Sequence, residues 1–315
     1  MSHFGKWLVS LAALSGALAA SGRADAFCRT KACDTDPSYS DAWDGPEPTQ
    51  CVRNAQGCLL EGTPLFWESH CLSFGVQRDG SALSGIDFET ARATVQAGFD
   101  TWMAADCGDG APSFRVVDQG EIACAGIEYN QNAPNANVIL FRDDEWPYQN
   151  LGGHALALTT VTFSVETGEI YDADIELNSA ETLFTTSDNP DEIVSDLASV
   201  LTHEIGHFLG LSHSAEETSV MRGVGYQSGS IELRTLTPDD VTGICALFPP
   251  GPTNGSCTPR HGFSPECGNG GTPPESDGCA FSPRGSSKSP LGLLALGALL
   301  SCFALRRART ARRAV

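Results

Sequence analysis

Apolar positions change their spacing from one segment of this chain to the next, and those changes mark its elements. In "DFETARATVQAGFDTWMAADC", Ala91, Val95, Phe99 and Trp102 recur at three- and four-residue intervals. That spacing predicts an amphipathic helix whose apolar stripe packs into a core. "LFWESHCLSFGV" before it reads as a strand, and "SFRVVD" and "NVILFR" after it read as two more. "ALALTTVTFSVETGEIYDADIELN" reads as a strand pair joined by a turn at "ETG". "NPDEIVSDLASVL" predicts a second helix: Pro190 suits the first position, acids fill the first turn, and Ile193, Val194, Leu197, Val200 and Leu201 share one side.

The two ends carry apolar runs of a different kind. Lys6, the stretch "WLVSLAALSGALAA" and the small-x-small triplet Ala24, Asp25, Ala26 form the three parts of an export signal over residues 1–26. A membrane-spanning first helix fits less well, because the run is short and a cleavage site follows it. After "FPPGPTNGS" the composition shifts to Gly, Pro and Ser without periodicity, which predicts a linker over 251–278. "PLGLLALGALLSCFAL" (residues 290–305) is uncharged, and "RRARTARR" with five arginines follows it. As a helix this run covers about 24 Å, slightly short of a bilayer core of about 30 Å. The arginines would hold their end in the cytoplasm. Gly278 and Cys279, a short spacer, the apolar run and the arginine cluster together resemble the sorting tails of myxobacterial surface proteins, called MYXO-CTERM. The resemblance implies transient membrane contact through residues 279–315, a sorting or processing enzyme acting near Cys279, and display on the cell surface or secretion. A permanent C-terminal anchor is the alternative. Between these ends lie a Cys-rich extension, 27–63, and a main domain, 64–250.

Charge and cysteines agree with an exported protein. The formal charge is -20, and residues 27–279 hold 10 Lys and Arg against 38 Asp and Glu, a net charge near -28. So acidic a surface repels nucleic acid and suits solubility; calcium at some of these carboxylates is a further expectation. Ten cysteines fall in this part: Cys28, Cys33, Cys51, Cys58, Cys71, Cys107, Cys124, Cys245, Cys257 and Cys267. Outside the cytoplasm they suit five disulfides of open connectivity. Four of them crowd the extension, which has little periodicity of its own and reads as a disulfide-stapled extension rather than a propeptide.

The candidate chemistry sits in "LTHEIGHFLGLSHS", which holds three of the chain's seven histidines. Residues four apart share a helix face, so His203 and His207 can reach one metal ion. Glu204 is placed to reach a metal-bound water without being a ligand. Gly210 can turn the chain through a left-handed conformation and bring His213 back as the third ligand. Three histidines leave one zinc position open, the catalytic rather than the structural arrangement.

The whole pattern "HExxHxxGxxH", with Gly206 and the Ser214 that follows, resembles the matrixin-like branch of the metzincin metallopeptidases, over roughly residues 64–250. The resemblance implies an α+β metzincin zincin fold: a twisted mixed sheet of about five strands, a long helix, an active-site helix and a C-terminal helix. It makes Met221 in "SVM" the methionine-turn residue beneath the metal. "LTPDDVTGICALF" resembles the family's C-terminal helix, with Thr237 suited to cap it, Pro238 in its first turn, and Asp239 and Asp240 as the paired aspartates. It implies further that backbone groups of Ala155, Leu156, Ala157 and Leu158 bind substrate at an edge strand by β-augmentation.

The chain also departs from the family. "LALTT" and "DADIEL" lack the histidines of the second, structural zinc, so none is expected, and His70, His154 and His261 read as surface or packing residues. There is no "PRCGxPD" cysteine switch; Cys28 and Cys33 remain candidates for an inhibitory thiolate, although disulfide pairing fits them better. "RGVGY" replaces the "Pro-x-Tyr" wall, with Tyr226 as a partial substitute. The expected function is an exported zinc-dependent endopeptidase acting on extracellular polypeptides, with one catalytic Zn2+ and Glu204 as general base. The alternative is a catalytically silent, zinc-containing surface binding protein.

Overall fold

A computed structural model describes residues 27–32, 52–55, 58–123, 126–127, 129, 135–148, 155–223, 226–253, 257 and 310–314. The export signal, Cys33, His154, His261, Cys279 and the apolar run 290–305 lie outside the described residues. Among the described residues no helix is long and apolar enough to cross a membrane.

The strands are β1 (Cys28–Arg29), β2 (Cys71–Gln77), β3 (Arg115–Ile122), β4 (Val138–Phe141), β5 (Ala157–Ser164), β6 (Ile170–Leu177), β7 (Phe184–Thr185), β8 (Ser195–Asp196), β9 (Leu211–Ser212) and β10 (Thr310–Ala314). The helices are α1 (Phe88–Met103), α2 (Leu197–Leu209) and α3 (Pro238–Leu247). The main sheet runs β10-β5-β6-β4-β2-β3. β2, β3, β4 and β6 are mutually parallel, and β5 is antiparallel to β6. Five strands match the expected sheet. The sixth, β10, comes from within the arginine cluster, which the tail pattern places apart from this domain; here it runs antiparallel along residues 160–164 of β5.

Helices α1 and α2 pack on one face of this sheet. Alternation along β6 sends Ala173, Ile175 and Leu177 into that core, and Asp172, Asp174 and Glu176 to the opposite face. All three carboxylates are buried, and Glu176 accepts from Arg142 Nε at 2.6 Å and Tyr148 Oη at 2.5 Å. Burial and the neighbouring Asp172 push the Asp174 carboxyl well above its ordinary range. α1 buries the predicted stripe of Ala91, Val95, Phe99 and Trp102, and Asp87 caps it by accepting from Thr90 N at 2.8 Å. Phe99 stacks on Phe74 of the sheet with ring centroids 5.0 Å apart, and meets Phe208 of α2 edge-on at 5.2 Å. A Cβ on Gly98 would come within 2.6 Å of Ile205 Cδ1, so the two helices approach as closely as only glycine permits.

The second helix starts later than its apolar pattern predicts. Residues Pro190–Glu192 form a short 3-10 turn, the backbone at Ile193 is extended, and Ser195–Asp196 pair with Phe184–Thr185 before α2 begins at Leu197. Val194 is exposed. The boundary is set by Asp196, whose carboxylate accepts from Ser199 N at 2.8 Å and occupies the N-cap.

Three disulfides are described: Cys28–Cys58, Cys71–Cys257 and Cys107–Cys245. The second ties Cys257, inside the predicted linker, to the first residue of β2. The first two residues of the extension's strand join the domain as well, since β1 pairs with β9 and Thr30 N donates to Gly210 O at 2.9 Å. Phe99→Ala should cost about 3–5 kcal/mol of stability, because both its ring contacts vanish and the cavity lies between sheet and helix; denaturant unfolding measures the loss.

Candidate active site

Helix α2 carries His203, Glu204 and His207. It ends at Gly210, whose φ of 106° is left-handed, and whose N–H donates to His207 O at 2.9 Å. The chain then runs out along β9 beside β1 and returns with His213. The three imidazoles converge: His207 Nε2 lies 3.1 Å from His203 Nε2 and 3.2 Å from His213 Nε2. A tetrahedral zinc with bonds of about 2.0–2.1 Å sets its ligand atoms about 3.4 Å apart, so the triad fits that ion. Among the described residues it is the one group of three or more His, Cys, Asp or Glu side chains clustered to hold a metal.

Backbone carbonyls orient two of the rings. His203 Nδ1 faces Val220 O at 2.6 Å and His207 Nδ1 faces Leu211 O at 2.9 Å. Each carbonyl requires a proton on Nδ1, which leaves Nε2 as a lone pair for the metal. Val220 belongs to the turn that carries Met221, and this turn hangs from Asp240. The buried Asp240 carboxylate accepts from Ser219 Oγ (2.5 Å), Val220 N (2.9 Å), Met221 N (3.2 Å), Thr237 N (2.8 Å) and Thr237 Oγ1 (2.7 Å). Met221 then sits beneath the histidines, against Gly206, where an added Cβ would lie 2.1 Å from its sulfur. Asp239 points the other way and accepts from Ser214 Oγ at 2.6 Å.

Glu204 is buried. Burial raises its carboxyl above the ordinary range, while the neighbouring His203 and a hydrogen bond from Thr159 oppose the rise. Thr159 Oγ1 donates to Glu204 Oε2 at 2.6 Å. The residue that orients this carboxylate is not visible in the motif, because Thr159 is 45 residues away and reads only as a strand position. Of the edge-strand residues, Ala155 and Leu156 precede β5 and their carbonyls accept from Asn178, whereas Ala157 and Leu158 open β5 and pair with β6.

Tyr226 is held at the start of α2, its hydroxyl meeting the backbone of Asp196, and burial pushes its pKa up to about 12. The same Asp196 carboxylate takes Arg234 Nε at 2.7 Å and Nη2 at 2.5 Å, a bidentate pair with the carboxylate fully buried. Thus Tyr226 and Arg234 fasten the segment after Met221 back onto the helix that bears His203 and His207. Arg234 was missed in the sequence, where an isolated arginine carries no pattern. His70 faces Ser113 O at 2.8 Å and packs edge-on against Phe248, a packing role. Cys28 is bonded to Cys58, so it has no thiol to offer the metal.

A helix-borne histidine pair, a third histidine after a glycine turn, and a methionine turn beneath them on a mixed-sheet α+β fold define a metzincin. Comparison with known proteins narrows this. The matrixin family model matches residues 66–249, and the chain belongs to that family. It is 41% identical over 96 residues to metalloendoproteinase 1-MMP of Arabidopsis thaliana, covering 29% of this chain and 23% of that one. It is 33% identical over 202 residues to matrix metalloproteinase-25 of Homo sapiens, covering 62% and 32%. Neutrophil collagenase of Homo sapiens is 26% identical over 208 residues, covering 64% and 37%. The chain therefore spans less than two-fifths of the length of each of these curated relatives.

Two substitutions test the supports. Asp240→Ala should weaken zinc binding about 10- to 100-fold, as loss of outer-shell supports does, and competition with a chelator measures it. Thr159→Val keeps the shape but removes the bond to Glu204; zinc binding should stay unchanged while turnover falls about tenfold, equivalent to ~1.4 kcal/mol.

Proposed function

We propose that this chain is an exported zinc endopeptidase that hydrolyses polypeptides with water as nucleophile. The observation that carries the reading is the convergence of three imidazole Nε2 atoms beside a buried carboxylate that Thr159 holds in place. His203, His207 and His213 would hold the ion, which when bound supplies Lewis acidity to a water and to the scissile carbonyl. Glu204 takes a proton from that water as it attacks and delivers it to the departing amine nitrogen, acting as base and then acid. Met221 packs beneath the ligands and is not one of them.

Substrate in this reading lies extended along the outer edge of β5, reached through the stretch of Ala155, Leu156, Ala157 and Leu158, with Tyr226 bordering the pocket. Support comes from β10, an antiparallel strand already accepted on that edge at residues 160–164. Three disulfides support an oxidising location, consistent with the export signal and the sorting-tail pattern. Processing near Cys279 would release the apolar run together with the segment that forms β10. The acidic surface leaves calcium as a further ligand of the exported protein, and its charge opposes nucleic-acid binding.

A quenched fluorescent peptide library should be cleaved by the purified chain and protected by a chelator. Glu204→Ala should retain one zinc and lose at least about a hundredfold in turnover. Undiminished turnover in the zinc-loaded variant would remove Glu204 from the mechanism. Zinc binding without cleavage by the unaltered chain would favour the surface-binding alternative.

A further inference from the structure

The three imidazoles of the cluster sit in different surroundings. His207 is buried and His203 half-buried, and backbone carbonyls face their Nδ1 atoms at 2.9 Å and 2.6 Å. His213 is exposed, on a stretch that has just left β9. An exposed imidazole on such a stretch has two side-chain torsions to fix before it can face its partners. The structure puts a wall against it at Gly223. A Cβ built on that residue would lie 3.0 Å from His213 Nδ1, 3.1 Å from Cγ and 3.4 Å from Cβ. The contact falls on the near side of the ring and leaves Nε2, the atom that joins the cluster, clear.

This wall is anchored. Residues 221–223 run beside 213–214: Ser214 and Arg222 form a parallel bridge, and Ser214 N donates to Met221 O at 2.7 Å. Met221 N is hung from Asp240. Arg222 N donates to Ser219 O at 3.2 Å, its Nη1 donates to Glu217 O at 3.1 Å, and its Nη2 meets Glu232 Oε1 at 2.6 Å. With the two stretches locked in register, the space left for the ring depends on what residue 223 carries. Its φ lies outside the left-handed region, so the backbone itself does not call for glycine there. The ring does. Separations of 3.0–3.4 Å are tighter than nine in ten real Cβ contacts, so an added methyl group forces a shift of a few tenths of an ångström. Zinc–ligand distances hold to within about 0.2 Å, and the exposed ring is freer to yield than the anchored wall.

We propose that Gly223 is a positioning residue for the third metal ligand: the side chain missing at 223 sets where the His213 imidazole stands, and through it the hold on zinc. The proposal rests on the reading of the triad as a zinc site and is independent of the reaction assigned to it.

The test is a cycle of four purified full chains: unaltered, Gly223→Ala, His213→Ala and the double variant. Gly223→Ala should release zinc to a chelator about tenfold faster than the unaltered chain, the size of effect that loss of a ligand's support brings. In the His213→Ala background, where the ring is gone, Gly223→Ala should change zinc release no further. Cobalt(II) put in place of zinc should show weaker and shifted visible bands in Gly223→Ala, reporting a displaced ligand. In crystals of the metal-free chains, the separation of 3.2 Å between His207 Nε2 and His213 Nε2 should widen in Gly223→Ala. Zinc release and cobalt bands matching the unaltered chain would overturn the proposal. An equal loss in the His213→Ala background would overturn it as well, since Gly223 would then act through the fold and not through the ring. If the unaltered chain takes up no zinc, the metal-site reading fails, while the ring position in the metal-free crystals still decides what Gly223 does.

Discussion

The Asp240 carboxylate is almost wholly withdrawn from water, and a buried charge is tolerated only with a full set of donors. Its five donors come from two places in the chain, the methionine turn and the start of α3. No donor can leave without stranding part of the charge, so the turn cannot drift relative to the helix. Val220 O is thereby fixed, and with it the plane of the His203 ring. Met221 is fixed by the same atoms, and its sulfur occupies the space that Gly206 leaves open. The histidine cluster is consequently held from below by an anion that takes no part in it.

Much of this was legible in the sequence because short-range geometry carries it. The i, i+4 spacing of His203 and His207, the left-handed turn at Gly210 and the stripe on α1 are local consequences of helix periodicity, and the structure has each of them. What was hidden is long-range. Thr159 reaches Glu204 across 45 residues, Arg234 reaches Asp196 across 38, and Trp102 reaches Thr202 across 100. Residues of ordinary type carry these contacts, and no periodicity singles them out. The start of α2 was misjudged for a related reason: Pro190, the acids and the apolar spacing fit a helix locally, but Asp196 is committed to a cap and a buried ion pair, which places the boundary after it.

The paired aspartates divide their work although they are adjacent in α3. Asp240 faces the methionine turn, and Asp239 faces Ser214 and Phe27. A helix turns by about 100° per residue, so neighbouring carboxylates project to different sides and can serve separate segments. Both segments flank the same histidine triad, which therefore receives support from two directions off a single turn of helix.

The Cys71–Cys257 bond encloses 186 positions of separation, and the three clustered histidines, Glu204 and Thr159 lie inside that span. A single cut in any surface loop between them leaves two fragments that remain one covalent molecule, still joined through the sheet. A chain that meets proteases is exposed to such cuts throughout its life. Closing the chain into a ring turns the first nick from a loss of the fold into a scar, and makes wear a matter of accumulated breaks rather than one event.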